Sequence, residues 1–82
     1  MRATVLVRPK PGILDPQGEA VQASLRQLGF PVAQARVGRL VDLDLGDADP
    51  GTARAELARM CEQLLTNPLI ESYEIELGED EE

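Results

Sequence analysis

The sequence predicts an α+β protein, a two-layer sandwich of ferredoxin-like type with two helices on one face of a small, mostly antiparallel sheet. Three observations carry that reading. Strand-period and helix-period apolar patterns alternate along the 82 residues in the order β-α-β(β)-α-β. Both helical stretches open on the same dipeptide, Asp15-Pro16 and Asp49-Pro50. Each closes on a defined stop, Gly29 for the first and Asn67-Pro68 for the second.

The first strand runs from Arg2 to Arg8, with Ala3, Val5 and Val7 on one face and Thr4, Leu6 and Arg8 on the other. Pro9 and Pro11 end it, because proline has no N–H to give to a ladder. Asp15 then caps a helix whose first turn holds Pro16, where a missing N–H costs nothing. From Pro16 to Leu28 the apolar positions Val21, Leu25 and Leu28 form one stripe. Gly29 supplies a left-handed cap, and Phe30 folds back toward the last turn.

The stretch from Val32 to Leu45 admits either two strands or one bent strand, with Gly38 as the turn or the bend. Its clean part is Val41 to Leu45, a half-buried strand with aspartates facing out. The second helix carries Ala53, Leu57, Met60, Cys61, Leu64 and Leu65 at helical spacing. Leu69 to Leu77 is the last strand, with Tyr73, Ile75 and Leu77 inward. We therefore expect one domain over 1–77, and an acidic, frayed tail over 78–82.

A core of this size contributes only a few kcal/mol unless disulfides, metal or partners help. Cys61 is the single cysteine and histidine is absent, so no disulfide framework or zinc cluster is available. That leaves association. Leu6, Leu40 and Ile70 fall on the sheet face away from the helices and are the candidates for self-association, giving a homodimer or higher homo-oligomer. No signal peptide or membrane-length apolar run is visible, so a cytoplasmic protein is expected.

The net charge of −7 is unevenly spread. Residues 1–41 sum to +4 and residues 42–82 to −11. An acidic chain with two aromatic residues, Phe30 and Tyr73, is a poor match for nucleic acid.

Candidate chemistry is thin. Asp42/Asp44 and Asp47/Asp49 lack the glycine and bidentate glutamate of a calcium loop, and read as a strand face and a turn. Cys61 lies on the apolar stripe of the second helix, with no histidine in the chain to form its thiolate, so it reads as core. Gly12 and Gly18 lack the spacing and following Lys-Ser of a phosphate loop. We expect no catalytic, cofactor or metal residues in this chain. Gly18 is read instead as allowing another chain or element to come close, and Arg8, Lys10, Arg36 and Arg39 as the one basic concentration.

Taken in order, Thr4–Val7 with Lys10, Gly12 to Gly18, Leu28-Gly29-Phe30, Arg36-Val37-Gly38-Arg39, Met60-Cys61 and Leu64 to Tyr73 resemble the PurS-type small subunit of phosphoribosylformylglycinamidine synthase. The resemblance runs from Thr4 to Leu77. It implies a non-catalytic, usually homodimeric subunit that holds a class I glutaminase and a large synthetase together in de novo purine synthesis and supports ammonia transfer. ATP and magnesium would then belong to the synthetase subunit. Within this resemblance Gly12, Gln17, Gly18, Arg36 and Arg39 are the candidate partner-interface residues. Two other classes compete: an ACT-like small-molecule-sensing domain, which shares the element order, and a stand-alone small enzyme.

Overall fold

A computed structural model describes residues 1–78. Its elements are β1 (Arg2–Pro9), α1 (Pro16–Gln27), β2 (Arg39–Asp44), α2 (Pro50–Met60) and β3 (Glu71–Gly78). α2 ends in one π-helical turn, Cys61–Leu65. β3 reaches Gly78, and the rest of the expected tail lies outside the described residues.

The α+β class stands. The sheet has the order β2-β1-β3, with β1 in the centre and both neighbours antiparallel to it. Register sets the two faces. Val5 lies opposite Val41 and Ile75, and Leu6 opposite Leu40 and Glu74. Inward residues of β1 (Ala3, Val5, Val7) meet Leu57 of α2 and Cys61 of its π-helical turn in a buried core. Val41, Leu43, Tyr73, Ile75 and Leu77 close over that core from the flanking strands. The faces assigned to β1 and β3 from alternation are the faces observed.

Both helices start as their Asp-Pro signals imply. The Asp15 carboxylate accepts from Gly18 N at 3.1 Å, and Asp49 accepts from Thr52 N at 3.2 Å. α1 ends in a Schellman turn: Gly29 sits at φ +96°, Phe30 N donates to Leu25 O (3.0 Å) and Gly29 N to Arg26 O (3.0 Å).

One open reading is settled. Residues 32–38 form no strand; they make a strap beside α1, and the sheet has three strands among the described residues. The reason is a set of side-chain partners that satisfy the strap's backbone. Arg26 donates to Val32 O (2.8 Å) and Ala33 O (2.7 Å), Gln22 accepts from Ala35 N (3.1 Å), and Asp15 accepts from Val37 N (2.9 Å). With these groups occupied, the segment has no need of a neighbouring strand.

The helices also differ in placement. α2 is laid along the sheet on the β3 side, whereas α1 shares no extended interface with any strand or with α2. Its Val21 and Leu28 remain 42% and 72% exposed, and Phe30 55%. The molecule is correspondingly long, 47 × 33 × 14 Å. Its radius of gyration of 15.9 Å exceeds the ~12 Å of a compact chain this long. A twelve-residue helix is marginal alone in water, so α1 depends on its strap and on whatever covers its stripe.

Candidate docking surface

The residues singled out from sequence gather at one end of the molecule, where the β1–α1 loop, the strap and the start of β3 meet. One open cleft is lined by Gly12, Ile13, Leu14, Asp15, Gln22 and Arg36. Its neighbour is lined by Pro16, Gln17, Val37, Arg39, Ile70 and Glu71. Gly12 stands at φ +86° with open space where a Cβ would point, so glycine there serves backbone conformation alone. Gln17 is exposed.

Asp15 is the centre of this end. Beyond capping α1 it accepts from Val37 N of the strap, and its Oδ2 lies 3.6 Å from Arg36 Nε. The hydrogen bond from Val37, then that from Gly18, hold its carboxyl below the usual range, with Arg36 adding a smaller pull. Gly18 is buried here: a Cβ would strike the Asp15 carboxylate and lie 2.6 Å from Ala35 O. The close approach that glycine permits is therefore made by this chain's own strap.

Arg36 and Arg39 are likewise engaged within the chain. Arg36 donates to Lys10 O (3.0 Å) and Ile13 O (3.3 Å), tying the strap to the β1–α1 loop. Arg39 makes a bidentate pair with Glu71 (2.7 and 3.0 Å) and donates to Leu65 O at 2.5 Å. Glu71 also accepts from Asn67 N at 2.8 Å. One ion pair thus joins β2, the end of α2 and the start of β3. Arg39, and secondarily the Asn67 N–H, hold the Glu71 carboxyl below its ordinary range.

A carboxyl whose pKa is depressed by folding adds stability that is present above its unfolded value and lost as pH falls through the folded one. Arg39→Gln should therefore move the Glu71 titration up toward the ordinary carboxylate range. It should also lower the melting temperature at neutral pH, with the difference from the parent shrinking in acid. Carboxyl-detected NMR and melting curves check both. An unmoved Glu71 titration would mean that the pair does not hold in solution.

Leu6 and Leu40 lie side by side across β1 and β2 on the face away from α2, with Leu40 56% exposed. Ile70, 40% exposed, lines the same cleft as Gln17. The paired carboxylates are turn and strand groups: Asp42 accepts from Thr4 Oγ1 (2.8 Å) and Asp44 from Gly46 N (3.0 Å). Cys61 is fully buried, and burial first, then nearby Glu62, raises its thiol pKa, away from the reactive thiolate.

Sequence reading missed the hydrogen-bonding roles of Gln22, Arg26, Asn67 and Glu71. Glu71 was within reach, since it falls in phase with inward Tyr73, Ile75 and Leu77. An acid in that phase needs a cation, and Arg39 stands in the matching phase of β2.

Comparison with known proteins places this geometry. The family model "PurS: Phosphoribosylformylglycinamidine (FGAM) synthase" matches residues 2–79. The phosphoribosylformylglycinamidine synthase subunit PurS of Synechocystis is 45% identical over 74 residues, 89% of this chain and 74% of that protein. The crystal structure of Methanocaldococcus jannaschii PurS aligns with TM-score 0.83 and 33% identity over 98% of each chain. A chain in the structure of PurLQS from Thermotoga maritima aligns with TM-score 0.83 and 30% identity over 92% of this chain and 93% of that one. The chain belongs to the PurS family of phosphoribosylformylglycinamidine synthase.

Proposed function

We propose that this chain is the small, non-catalytic subunit of a phosphoribosylformylglycinamidine synthase in de novo purine biosynthesis. The observation that carries the reading is the family match over residues 2–79, joined by the likeness to a chain of the Thermotoga maritima PurLQS structure. The complex converts formylglycinamide ribonucleotide, ATP, glutamine and water to formylglycinamidine ribonucleotide, ADP, phosphate and glutamate. In this reading a glutaminase releases ammonia, and a synthetase binding ATP and magnesium consumes it. This chain holds the two together and supports the transfer. The physical features fit a scaffold: its thiol is sealed in the core, its carboxylates cap and clamp, and its apolar surplus lies outside.

The surface offered to those partners is the end carrying Gly12, Gln17, Gly18, Arg36 and Arg39. Gly18, Arg36 and Arg39 act there by shaping the loop and strap, while Gly12 and Gln17 are open to contact. Leu6, Leu40 and Ile70, together with the α1 stripe, are the surfaces for a homodimer. Light scattering should then give at least twice the 8.9 kDa chain mass at micromolar concentration, and a stable monomer would count against it. A cytoplasmic site of action follows from this role; no helix among the described residues is long and apolar enough to cross a membrane.

Reconstitution tests the whole reading. Synthetase and glutaminase chains of the same synthase should form product from glutamine only when this chain is present, with the rate falling roughly tenfold or more on its omission. Activity with free ammonia should persist in its absence. Undiminished glutamine-dependent activity without this chain would refute the role.

A further inference from the structure

A two-layer sandwich with this order of elements has room for two helices on one face of its sheet, and this chain fills half of it. α2 lies on the β3 side, and no described helix has an extended contact with β2. On the β2 side of that face Val41, Leu43 and Leu45 run in phase and are only half-buried. They span ~13 Å of extended chain, against ~18 Å for a twelve-residue helix, so one helix would cover them all. The chain also carries a helix with nothing on its stripe: Val21 and Leu28 are exposed, and Gly18 is the one buried residue of α1. A chain's own α1 does not take its own seat. Arg36 ties the strap to Lys10 O and Ile13 O, and Asp15 holds Val37 N. Gly38 is pressed so close to Val7 O that a Cβ would strike it. These ties keep α1 and its strap clear of the sheet.

We propose that the seat over β2 is filled by α1 of a second copy of this chain, the two copies exchanging helices about a two-fold axis. The inference rests on the self-association proposed above and not on the role in the synthase. A two-fold contact of this kind completes both seats at once. The shape of the molecule suits it. Each copy is 47 Å long and 14 Å through, so two laid antiparallel overlap with the helix end of each against the sheet of the other. Charge selects the same arrangement. Residues 10–39, which hold α1, its strap and the flanking loops, carry four basic and two acidic side chains, or +2. The rest of the described chain carries four basic and nine acidic, or −5. Antiparallel overlap sets the positive segment of each copy on the negative segment of the other, whereas sheet against sheet opposes like charges. Covering the stripe also stabilises a helix that is marginal alone.

The test begins with light scattering of the parent chain and continues with isotope-filtered NOE spectra of a mixture of labelled and unlabelled copies. Methyl groups of Val21, Leu25 or Leu28 in one copy should contact those of Val41, Leu43 or Leu45 in the other. A dilution series on Leu28→Asp, a substitution at an exposed position, should show self-association weakened about tenfold or more. Amide exchange in that variant should quicken along α1 and stay at the parental rate at Val5 and Ile75, which marks a lost contact in a folded chain. A parent that is monomeric at micromolar concentration overturns the inference together with the self-association. A dimer whose intermolecular contacts run from α1 to Leu6 and Leu40, or leave α1 out, overturns the inference alone. Parental self-association in Leu28→Asp does the same.

Discussion

Leu57→Ala should abolish a cooperative folding transition in the isolated chain. Leu57 has no exposed surface and stands where α2 meets Val5 and Val7 of the central strand. Truncating a fully buried leucine costs about 2–5 kcal/mol, through lost transfer energy and the cavity left behind. A single core of this size supplies on the order of 3–5 kcal/mol. The loss is thus comparable to the whole margin. Among the described residues six apolar side chains are buried, and α1 contributes none of them, so no second core there can take over. Thermal melting followed by circular dichroism should show a broad, sloping trace in place of the parent's sigmoid. A sharp transition within a few degrees of the parent would mean that another surface, most plainly a dimer interface, supplies most of the stability.

The parts of the fold that local chemistry dictates were legible in the sequence, and those that depend on distant partners were not. Strands 2–9 and 71–78 announce themselves by period-two alternation, and both helix starts by an Asp-Pro pair whose geometry is fixed within four residues. The strap was read as strand because its backbone partners, Gln22, Arg26 and Asp15, lie up to 22 residues away. Nothing local separates a segment satisfied by side chains from one satisfied by a ladder. The position of α1 was hidden for a related reason. Val21, Leu25 and Leu28 say that the helix has an apolar face, but no pattern within the helix says which surface covers it. Arg36, Arg39 and Gly18 stood out as contacts for another chain, and each is engaged with this one.

Gly18 gives the sharpest test of that change. On sequence alone a larger residue at a helix start should leave the subunit folded and disturb only its assembly. The structure reverses the expectation. Any Cβ at position 18 strikes the Asp15 carboxylate and crowds Ala35 O, so the cap and the strap must both move. Gly18→Ala should therefore cost about 1–3 kcal/mol, the range of an overpacked site, and Gly18→Arg more. The damage should be confined. Among the described residues, the hydrogen bonds made by residues 14–35 stay between Asp15 and Val37, so α1 and its strap can loosen while β1, β2, β3 and α2 keep their core. Amide hydrogen exchange should accelerate across residues 16–37 and hold steady at Val5, Val41 and Ile75, whose strands pair without help from α1. The Asp15 carboxyl, released from the Val37 and Gly18 N–H groups, should titrate closer to its ordinary value. Parental exchange rates in α1 for both variants would show that the strap packs differently in solution, and would return Gly18 to the surface it was first assigned.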